Sequence, residues 1–226
     1  MHIATDLVPG LVVRDLAPAD GPVREDRGRH PRPVRGEFLR GAGRRARRGA
    51  AAAVRPAPFF YPGRIAPPPD HRGLAEATRR VLELVDAEFL SRVPIRQDRQ
   101  RIAEFRQVHS DFAIVDVHPD QLEPVQRLPH TDPVAVFGLV DLNRDVRGGT
   151  LFFEQVAESA DGTRHAGYFT GDSPDYQLRG RIAAQFNTLV IYPGFIPHSA
   201  EIEGEWIRGE ARFASPRLTQ RFAFVA

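Results

Sequence analysis

The feature that most constrains this chain is a succession of short apolar segments in its second half. Each has five to nine residues and is rich in β-branched or aromatic side chains, and Gly, Pro, Asp or Asn separates it from the next. Many short strands with little helix between them are typical of a barrel or jelly roll. The predicted strands are 111–118, 134–142, 150–156, 166–170, 180–186, 188–192, 198–203 and 217–225.

One amphipathic helix is predicted before these strands, because apolar residues recur there at intervals of three and four. Asp70 is placed to cap the start of the helix, and we expect the helix to end by Pro94. The predicted buried stripe consists of Leu74, Ala77, Val81, Val85 and Phe89.

The first quarter of the chain has a different composition. Residues 1–57 contain 12 arginines and 6 acidic residues, and residues 19–57 are rich in Gly, Pro and Arg with few apolar residues at any regular spacing. Such a segment cannot bury enough surface to offset its ordering entropy. We therefore predict an irregular arm over residues 1–57 and one folded domain over residues 58–226.

Four clustered arginines in this arm, Arg44, Arg45, Arg47 and Arg48, are a candidate contact for nucleic acid or an anionic surface. All 31 basic residues of the chain are arginine, however, and a coding bias explains that more simply than a binding role. A solvated arm is the favoured interpretation, and we do not expect nucleic acid as a partner.

Composition also excludes several classes of site. The chain has no cysteine, which rules out disulfides, thiolate zinc sites and cysteine nucleophiles. It has no run approaching the ~20 apolar residues that cross a bilayer, and its start lacks the order of a signal peptide. We expect a soluble, cytoplasmic protein whose metal ligands, if any, are nitrogen and oxygen atoms.

Candidate ligands occur in the stretch LPHTDP. On a strand, His130 and Asp132 would point to the same side with Cα atoms ~6 to 7 Å apart. A solvated strand end, or a histidine oriented by a carboxylate, is the simpler explanation of such a pair. A third candidate, His198, follows a Pro-Gly turn after a strongly apolar strand. Two imidazoles and one carboxylate form the facial triad of non-haem Fe(II) oxygenases.

Four blocks of sequence carry a resemblance to a known superfamily: QRLPHTDP, GLVDLNRDVRGGTLFFE, NTLVIYPGFIPHSA and SPRLTQRFAF. In this order they resemble the 2-oxoglutarate and Fe(II)-dependent dioxygenases, on the prolyl-hydroxylase-like side and closest to a poorly characterised bacterial branch. The resemblance covers roughly residues 104–226. It implies a mainly β fold with flanking helices, a double-stranded β-helix (jelly roll, cupin-like barrel), with His130, Asp132 and His198 as the iron ligands.

The resemblance also implies a basic residue on the last strand that binds the remote carboxylate of 2-oxoglutarate. Arg217 matches that position, and an arginine fork suits a carboxylate. Thr219 faces the same side and can donate a further hydrogen bond. Many relatives place the basic residue about ten positions after the second histidine, whereas Arg217 lies 19 after His198, so Arg208 and Arg212 remain rivals.

Other residues receive lesser roles. Gly148 and Gly149 resemble a strand-entry turn of the family, in which glycine permits positive φ. Gln126 and Tyr192 are candidates for the pocket lining or for the core. Three further histidines, His109, His118 and His165, are interpreted as ordinary surface or core residues.

The implied chemistry consumes O₂ and 2-oxoglutarate, releases succinate and CO₂, and hydroxylates an amino acid, a peptide or a small natural-product intermediate. Asp132 argues against halogenation, because halogenating relatives replace this carboxylate with a small residue. The alternatives are a cupin-like metal-binding protein without 2-oxoglutarate turnover and a nonenzymatic jelly-roll binding domain. The substrate and the oligomeric state do not follow from the sequence.

Overall fold

The computed structural model describes twelve strands and one α-helix within residues 12–15, 55–56, 61–67, 72–90, 96–97, 100–101, 104–144, 148–157, 168, 170–202 and 216–225. The strands are β1 (Val12–Asp15), β2 (Arg55–Pro56), β3 (Gly63–Ala66), β4 (Arg96–Gln97), β5 (Gln100–Arg101), β6 (Arg106–Val115), β7 (Val136–Asp141), β8 (Gly149–Gln155), β9 (Tyr176–Ala183), β10 (Thr188–Pro193), β11 (His198–Glu201) and β12 (Arg217–Val225).

Two antiparallel sheets form the body of the fold. The large sheet has seven strands in the order β1-β10-β7-β12-β6-β3-β2, and the small sheet has the order β11-β8-β9. Neighbours in the large sheet are distant in sequence, since β12 pairs with both β6 and β7. A separate hairpin joins β4 and β5. This arrangement confirms the mainly β, double-stranded β-helix class.

The two sheets pack face to face around one apolar cluster. Phe137 and Tyr192 contribute from the large sheet, and Phe152 and Ile182 contribute from the small sheet. Alternation along each strand determines which side chains reach this cluster. On β12, the odd-numbered residues from 217 to 223 face the small sheet, whereas Phe222 and Phe224 belong to a second cluster on the opposite face.

The helix α1 (Arg72–Val85) covers the outer face of the large sheet and continues into a π-helical turn, Asp86–Leu90. The residues that α1 and this turn bury against Phe112, Val140 and Phe222 are Ala77, Val81, Val85 and Phe89. The predicted stripe is thereby confirmed at these four positions. The side chain of Leu74, the cap Asp70 and the end before Pro94 lie outside what the structure describes.

The observed strands differ from the predicted ones at several places. The strands β1 to β5 were not predicted, and β9 begins four residues before and ends three residues before the predicted segment 180–186. β6 begins five residues earlier than expected, and two 3-10 helices, Pro119–Gln121 and Pro124–Arg127, precede the stretch that contains His130. The segment 166–170 is described only at Tyr168 and Thr170, and neither belongs to a strand.

The predicted arm contributes two edge strands of the large sheet. β1 pairs with β10 at one edge, and β2 pairs with β3 at the other. All other residues of 1–57, including the four clustered arginines, lie outside the described part of the chain, and the division at residue 57 stays a prediction. Among the described residues, no helix has both the length and the apolar character that a membrane span requires.

Candidate metal centre and pocket

Three side chains from two distant parts of the sequence meet between the two sheets. His130, Asp132 and His198 each offer one ligand atom, and these atoms all lie within 4.8 Å of one another. The rings of His130 and His198 have centroids 4.5 Å apart. The sequence-predicted triad is therefore brought together as one cluster.

Backbone pairing places the two histidines side by side. The N–H of His130 donates to the carbonyl of His198 at 2.9 Å, and the N–H of His198 donates to the carbonyl of His130 at 2.9 Å. This reciprocal pair forms an isolated antiparallel bridge beside β11. Since β11 also pairs with β8 through His198 and Phe152, the position of His198 is determined from both sides.

A glycine turn holds Asp132 against the same region. The N–H of Asp132 donates to the carbonyl of Gly194 at 2.8 Å, and the N–H of Gly194 donates to the carbonyl of Ala135 at 3.1 Å. A Cβ at position 194 would lie 2.2 Å from the carbonyl oxygen of Val134, so a side chain cannot fit without backbone movement. The Pro-Gly turn before His198 therefore also positions Asp132.

The hydrogen bond of His198 determines which ring nitrogen faces the cluster. Nδ1 lies 2.9 Å from the carbonyl oxygen of Ile196, and a carbonyl only accepts, so Nδ1 carries the proton. In the neutral ring this leaves a lone pair on Nε2, which lies 3.3 Å from Asp132 Oδ2. Two electron-pair donors face each other at a distance that only a proton or a bound cation makes favourable.

The protonation states favour the cation. Burial, and secondly the nearby His198, lower the pKa of His130 to about 3, so this ring is neutral at physiological pH. Burial raises the pKa of the Asp132 carboxyl, but the interactions with His198 and His130 outweigh it and the net pKa is lowered. His130 therefore presents a neutral imidazole and Asp132 a carboxylate, the forms that ligate metals.

Asp132 Oδ2 supplies a test of whether a metal fits. The atom is buried and makes no hydrogen bond to any residue that the structure describes. Buried carboxylate oxygens are normally satisfied, and one without a partner requires an explanation. Two donors at right angles and ~2.1 Å from one metal would lie ~3 Å apart, close to the observed 3.3 Å. The donor set fits a divalent metal.

A pocket extends from this cluster along the inner face of the large sheet. Phe137, Leu139 and Tyr192 form part of its apolar wall, and Thr150, Ser199 and Ala200 lie on the small-sheet side. Burial raises the pKa of the Tyr192 hydroxyl well above its usual value, which keeps it protonated. The prediction that Tyr192 lines the pocket or the core is met in both respects, since Tyr192 is also fully buried.

Arg217 and Thr219 both line this pocket, as their shared side of β12 predicts. Arg217 is only 3% exposed. Its Nε donates to Asp141 Oδ1 at 2.9 Å, and its Nη1 donates to the carbonyl of Gly149. The rival arginines 208 and 212 lie outside the described residues.

Two residues that line the pocket, Arg221 and Tyr61, were not predicted from the sequence. Arg221 lies on the inner side of β12 and forms a two-point pair with Asp111, from Nε at 2.7 Å and from Nη2 at 2.6 Å. Its guanidinium carbon stacks 4.6 Å from the ring centre of Tyr61. The period of two that links Arg217 to Thr219 also reaches Arg221 and could have identified it. Tyr61 had no comparable signal.

The two glycines predicted at a strand entry have geometric roles. Gly148 adopts φ +53°, as expected for a glycine in a left-handed conformation. A Cβ on Gly149 would lie 2.1 Å from the carbonyl oxygen of Ile182, so close strand approach explains that residue. Gln126 lies outside the pocket wall and donates from Nε2 to the carbonyl of Tyr61 at 3.0 Å.

The other histidines take no part in the cluster. His109 contacts Asp111 Oδ2 through Nε2 at 2.8 Å. His118 caps a 3-10 helix by accepting a hydrogen bond from the N–H of Asp120 at 3.2 Å. Both outcomes agree with their interpretation as surface or core residues, and His165 lies outside the described residues.

Comparison with protein families gives one match. The model of DUF6445, described as a family of unknown function, matches residues 38–161 and 154–224. The chain belongs to this family. No curated protein matches the sequence significantly.

Several solved structures are similar in fold. The α-ketoglutarate-dependent epimerase SnoN from nogalamycin biosynthesis has a TM-score of 0.55 and 14% identity, over 96% of this chain and 78% of SnoN. A Pseudomonas putida prolyl-4-hydroxylase has a TM-score of 0.49 and 12% identity, over 96% and 92%. HygX from Streptomyces hygroscopicus, with nickel and 2-oxoglutarate bound, has a TM-score of 0.48 and 12% identity, over 97% and 83%. At these identities, the likeness to SnoN carries the fold and not the activity.

Proposed function

We propose that this member of the DUF6445 family is an Fe(II)- and 2-oxoglutarate-dependent oxygenase that hydroxylates an amino acid, a peptide or a small natural-product substrate. One observation carries the proposal. The buried Asp132 Oδ2 has no hydrogen-bond partner among the described residues and faces the lone pair of His198 Nε2 within a cluster of three ligand atoms.

The donor set suits iron and argues against a structural zinc site. Two imidazoles and one carboxylate suit Fe(II) and leave coordination positions open, whereas structural zinc sites are closed by four protein ligands. Among the described residues, these three form the one group of His, Cys, Asp or Glu side chains arranged to hold a metal. The small number of protein ligands is what a cosubstrate that binds the metal requires.

The chain's own residues would hold the cosubstrate and exclude water. Arg217 and Thr219 are proposed to bind the remote carboxylate of 2-oxoglutarate, the first by charge and the second by its hydroxyl. Phe137, Leu139 and Tyr192 would keep the space beside the metal dry. When bound, Fe(II) with 2-oxoglutarate and O₂ supplies the oxidation that yields succinate, CO₂ and a hydroxylated product.

The test is an anaerobic titration of the full chain with Fe(II) and 2-oxoglutarate. We expect a weak visible charge-transfer band, followed by release of succinate when O₂ and candidate substrates are added. His130→Ala or His198→Ala should remove iron binding. His118→Asn is the matched control, because it alters a histidine outside the site and Asn retains a capping acceptor.

Arg217→Ala separates the cosubstrate role from the metal role. It should weaken 2-oxoglutarate binding while iron binding is retained, with Arg217→Lys as the substitute if the alanine variant does not fold. Undiminished activity in a folded Arg217→Ala protein would transfer the role to another arginine, of which Arg221, Arg208 and Arg212 are the candidates.

One observation favours a second function, a cupin-like metal-binding protein that does not turn over 2-oxoglutarate. Both pocket arginines are already paired, Arg217 with Asp141 and Arg221 with Asp111. Iron binding without any 2-oxoglutarate band would support this function. Failure to bind iron at all would leave a nonenzymatic jelly-roll domain.

A further inference from the structure

The ion pair between Arg217 and Asp141 lies at one end of the pocket, away from the proposed metal ligands. Phe137 lies 6.3 Å from His198, measured between ring centroids. Asp141 follows Phe137 by four residues on the same face of β7. Arg217 lines the pocket that also contains the three ligand residues, so a cosubstrate held at the metal would meet the cation of this ion pair.

Asp141 is a fixed part of this end. Its side chain is buried at 3% exposure, and its own carbonyl accepts a hydrogen bond from the N–H of Asn187 at 2.7 Å. Oδ1 accepts from Arg217 Nε, and a further bond comes from the backbone of Gln185. The carboxylate is thus held beside the guanidinium by the turn between β9 and β10 as well as by β7.

A second carboxylate at Arg217 would have to share its single positive charge. Nε donates to Asp141 and Nη1 donates to the carbonyl of Gly149, so Nη2 is the nitrogen that makes no hydrogen bond to a described residue. Two carboxylates that share one guanidinium repel each other strongly where water is excluded. The neutral hydroxyls of Thr219 and Ser199 line the same pocket.

We propose that Asp141 is a specificity-determining residue, which weakens the pocket's hold on the remote carboxylate of 2-oxoglutarate by competing with it for Arg217. This inference rests on the proposed function and deepens it. Its consequence is a pocket that discriminates modestly between 2-oxoglutarate and 2-oxo acids with a neutral end. Burial also raises the pKa of the Asp141 carboxyl despite Arg217, so a second carboxylate would favour its protonation.

The experiment compares two ligands in two proteins by calorimetry on the Mn(II)-loaded chain. The ligands are 2-oxoglutarate and 2-oxovalerate, which has a methyl group in place of the remote carboxylate. Asp141→Asn keeps the size of the side chain and removes its charge. We expect it to tighten 2-oxoglutarate binding about tenfold and to change 2-oxovalerate binding less than about twofold. A purely structural role would change both ligands alike.

Each other outcome has a definite meaning. Unchanged or weaker 2-oxoglutarate binding in a folded Asp141→Asn protein, with binding by the wild type, overturns this inference alone. Failure of the wild type to bind 2-oxoglutarate overturns the proposed function together with the inference. If Asp141→Asn does not fold, Asp141→Ser serves instead. The wild type alone offers a further check, because preference for 2-oxoglutarate should fall well below the roughly 10⁴-fold reached by sites with an uncontested polar partner.

Discussion

The two faces of the large sheet carry opposite chemistry although the same strands build both. The outer face meets α1 through apolar side chains such as Phe112, Val140 and Phe222. On the inner face, Asp111, Asp141 and Arg221 replace apolar residues at alternating positions. The difference teaches that one strand can stabilise the fold on one side and form a site on the other, because side chains alternate with a period of two.

The inner face also shows how its buried charges are compensated. Arg217 reaches Asp141 on β7, whereas Arg221 reaches Asp111 on β6, so the two cations of β12 pair with strands on opposite sides. Asp132 differs from these two aspartates, because its Oδ2 faces the His198 ring at 3.3 Å instead of an arginine and makes no hydrogen bond to a described residue. That contrast is the reason to assign a metal to Asp132 and structural pairing to the others.

Phe222→Ala tests the outer face and should have the largest effect on stability. Phe222 is fully buried under α1, and loss of a buried aromatic ring costs about 3 to 5 kcal/mol of unfolding free energy. Chemical denaturation would measure the loss, and metal affinity should remain unchanged at temperatures where the variant is folded. Weakened metal binding in the folded variant would break the proposed separation of the two faces.

Asp111→Asn tests a charged pair of the inner face. Burial raises the pKa of Asp111, but the bonds from His109 and Arg221 outweigh it, so the folded-state pKa is lower than that of the unfolded chain. The pair therefore adds stability above the unfolded pKa of ~3.9 and loses it as pH falls through the folded value. Asp111→Asn should cost about 1 to 3 kcal/mol at pH 7, and the difference from wild type should shrink below about pH 4.

The control for this measurement is Asp120→Asn, since the Asp120 side chain is 79% exposed. It should leave the acid limb of a stability-against-pH curve close to that of the wild type. An Asp111→Asn protein whose deficit stays constant down to strongly acid pH would show that packing, rather than charge, determines the role of Asp111.

Thr219→Val should have the smallest effect on stability, about 1 kcal/mol, because the variant keeps the shape of the side chain and loses the hydrogen bonding of one buried hydroxyl. If Thr219 donates to the remote carboxylate, affinity for 2-oxoglutarate should fall several-fold with metal affinity retained. Calorimetry on the Mn(II)-loaded protein would measure both. A stability loss as large as that of Phe222→Ala would show that Thr219 serves the fold rather than the pocket.

Local periodicity predicted most of the fold. Seven of the eight predicted strand segments overlap observed strands, and the helical spacing identified Ala77, Val81, Val85 and Phe89 as buried. These predictions succeed because apolar spacing reflects which face of an element is covered. The five strands that precede β6, two of them edge strands within residues 1–57, were missed, since strands of two to four residues leave almost no periodic signal.

The candidate site likewise has features that were predicted from the sequence and features that were not. His130 and Asp132 share a short motif, and His198 was identified by its place after a Pro-Gly turn, so the residues of the cluster were all predicted. The pairing of Arg217 with Asp141 was not, because it joins residues 76 positions apart. The place of Tyr61 in the pocket was not predicted either, because it depends on the long-range pairing of β3 with β6.

By itself, the sequence determined which side chains alternate along each strand and where three ligand-bearing residues occur. Only the tertiary structure decided that His130 bridges to His198, and that each pocket arginine has a buried carboxylate beside it. The physical reason is that alternation is a local property of the backbone. Compensation of buried charge, in contrast, depends on which distant strands the sheets bring into contact.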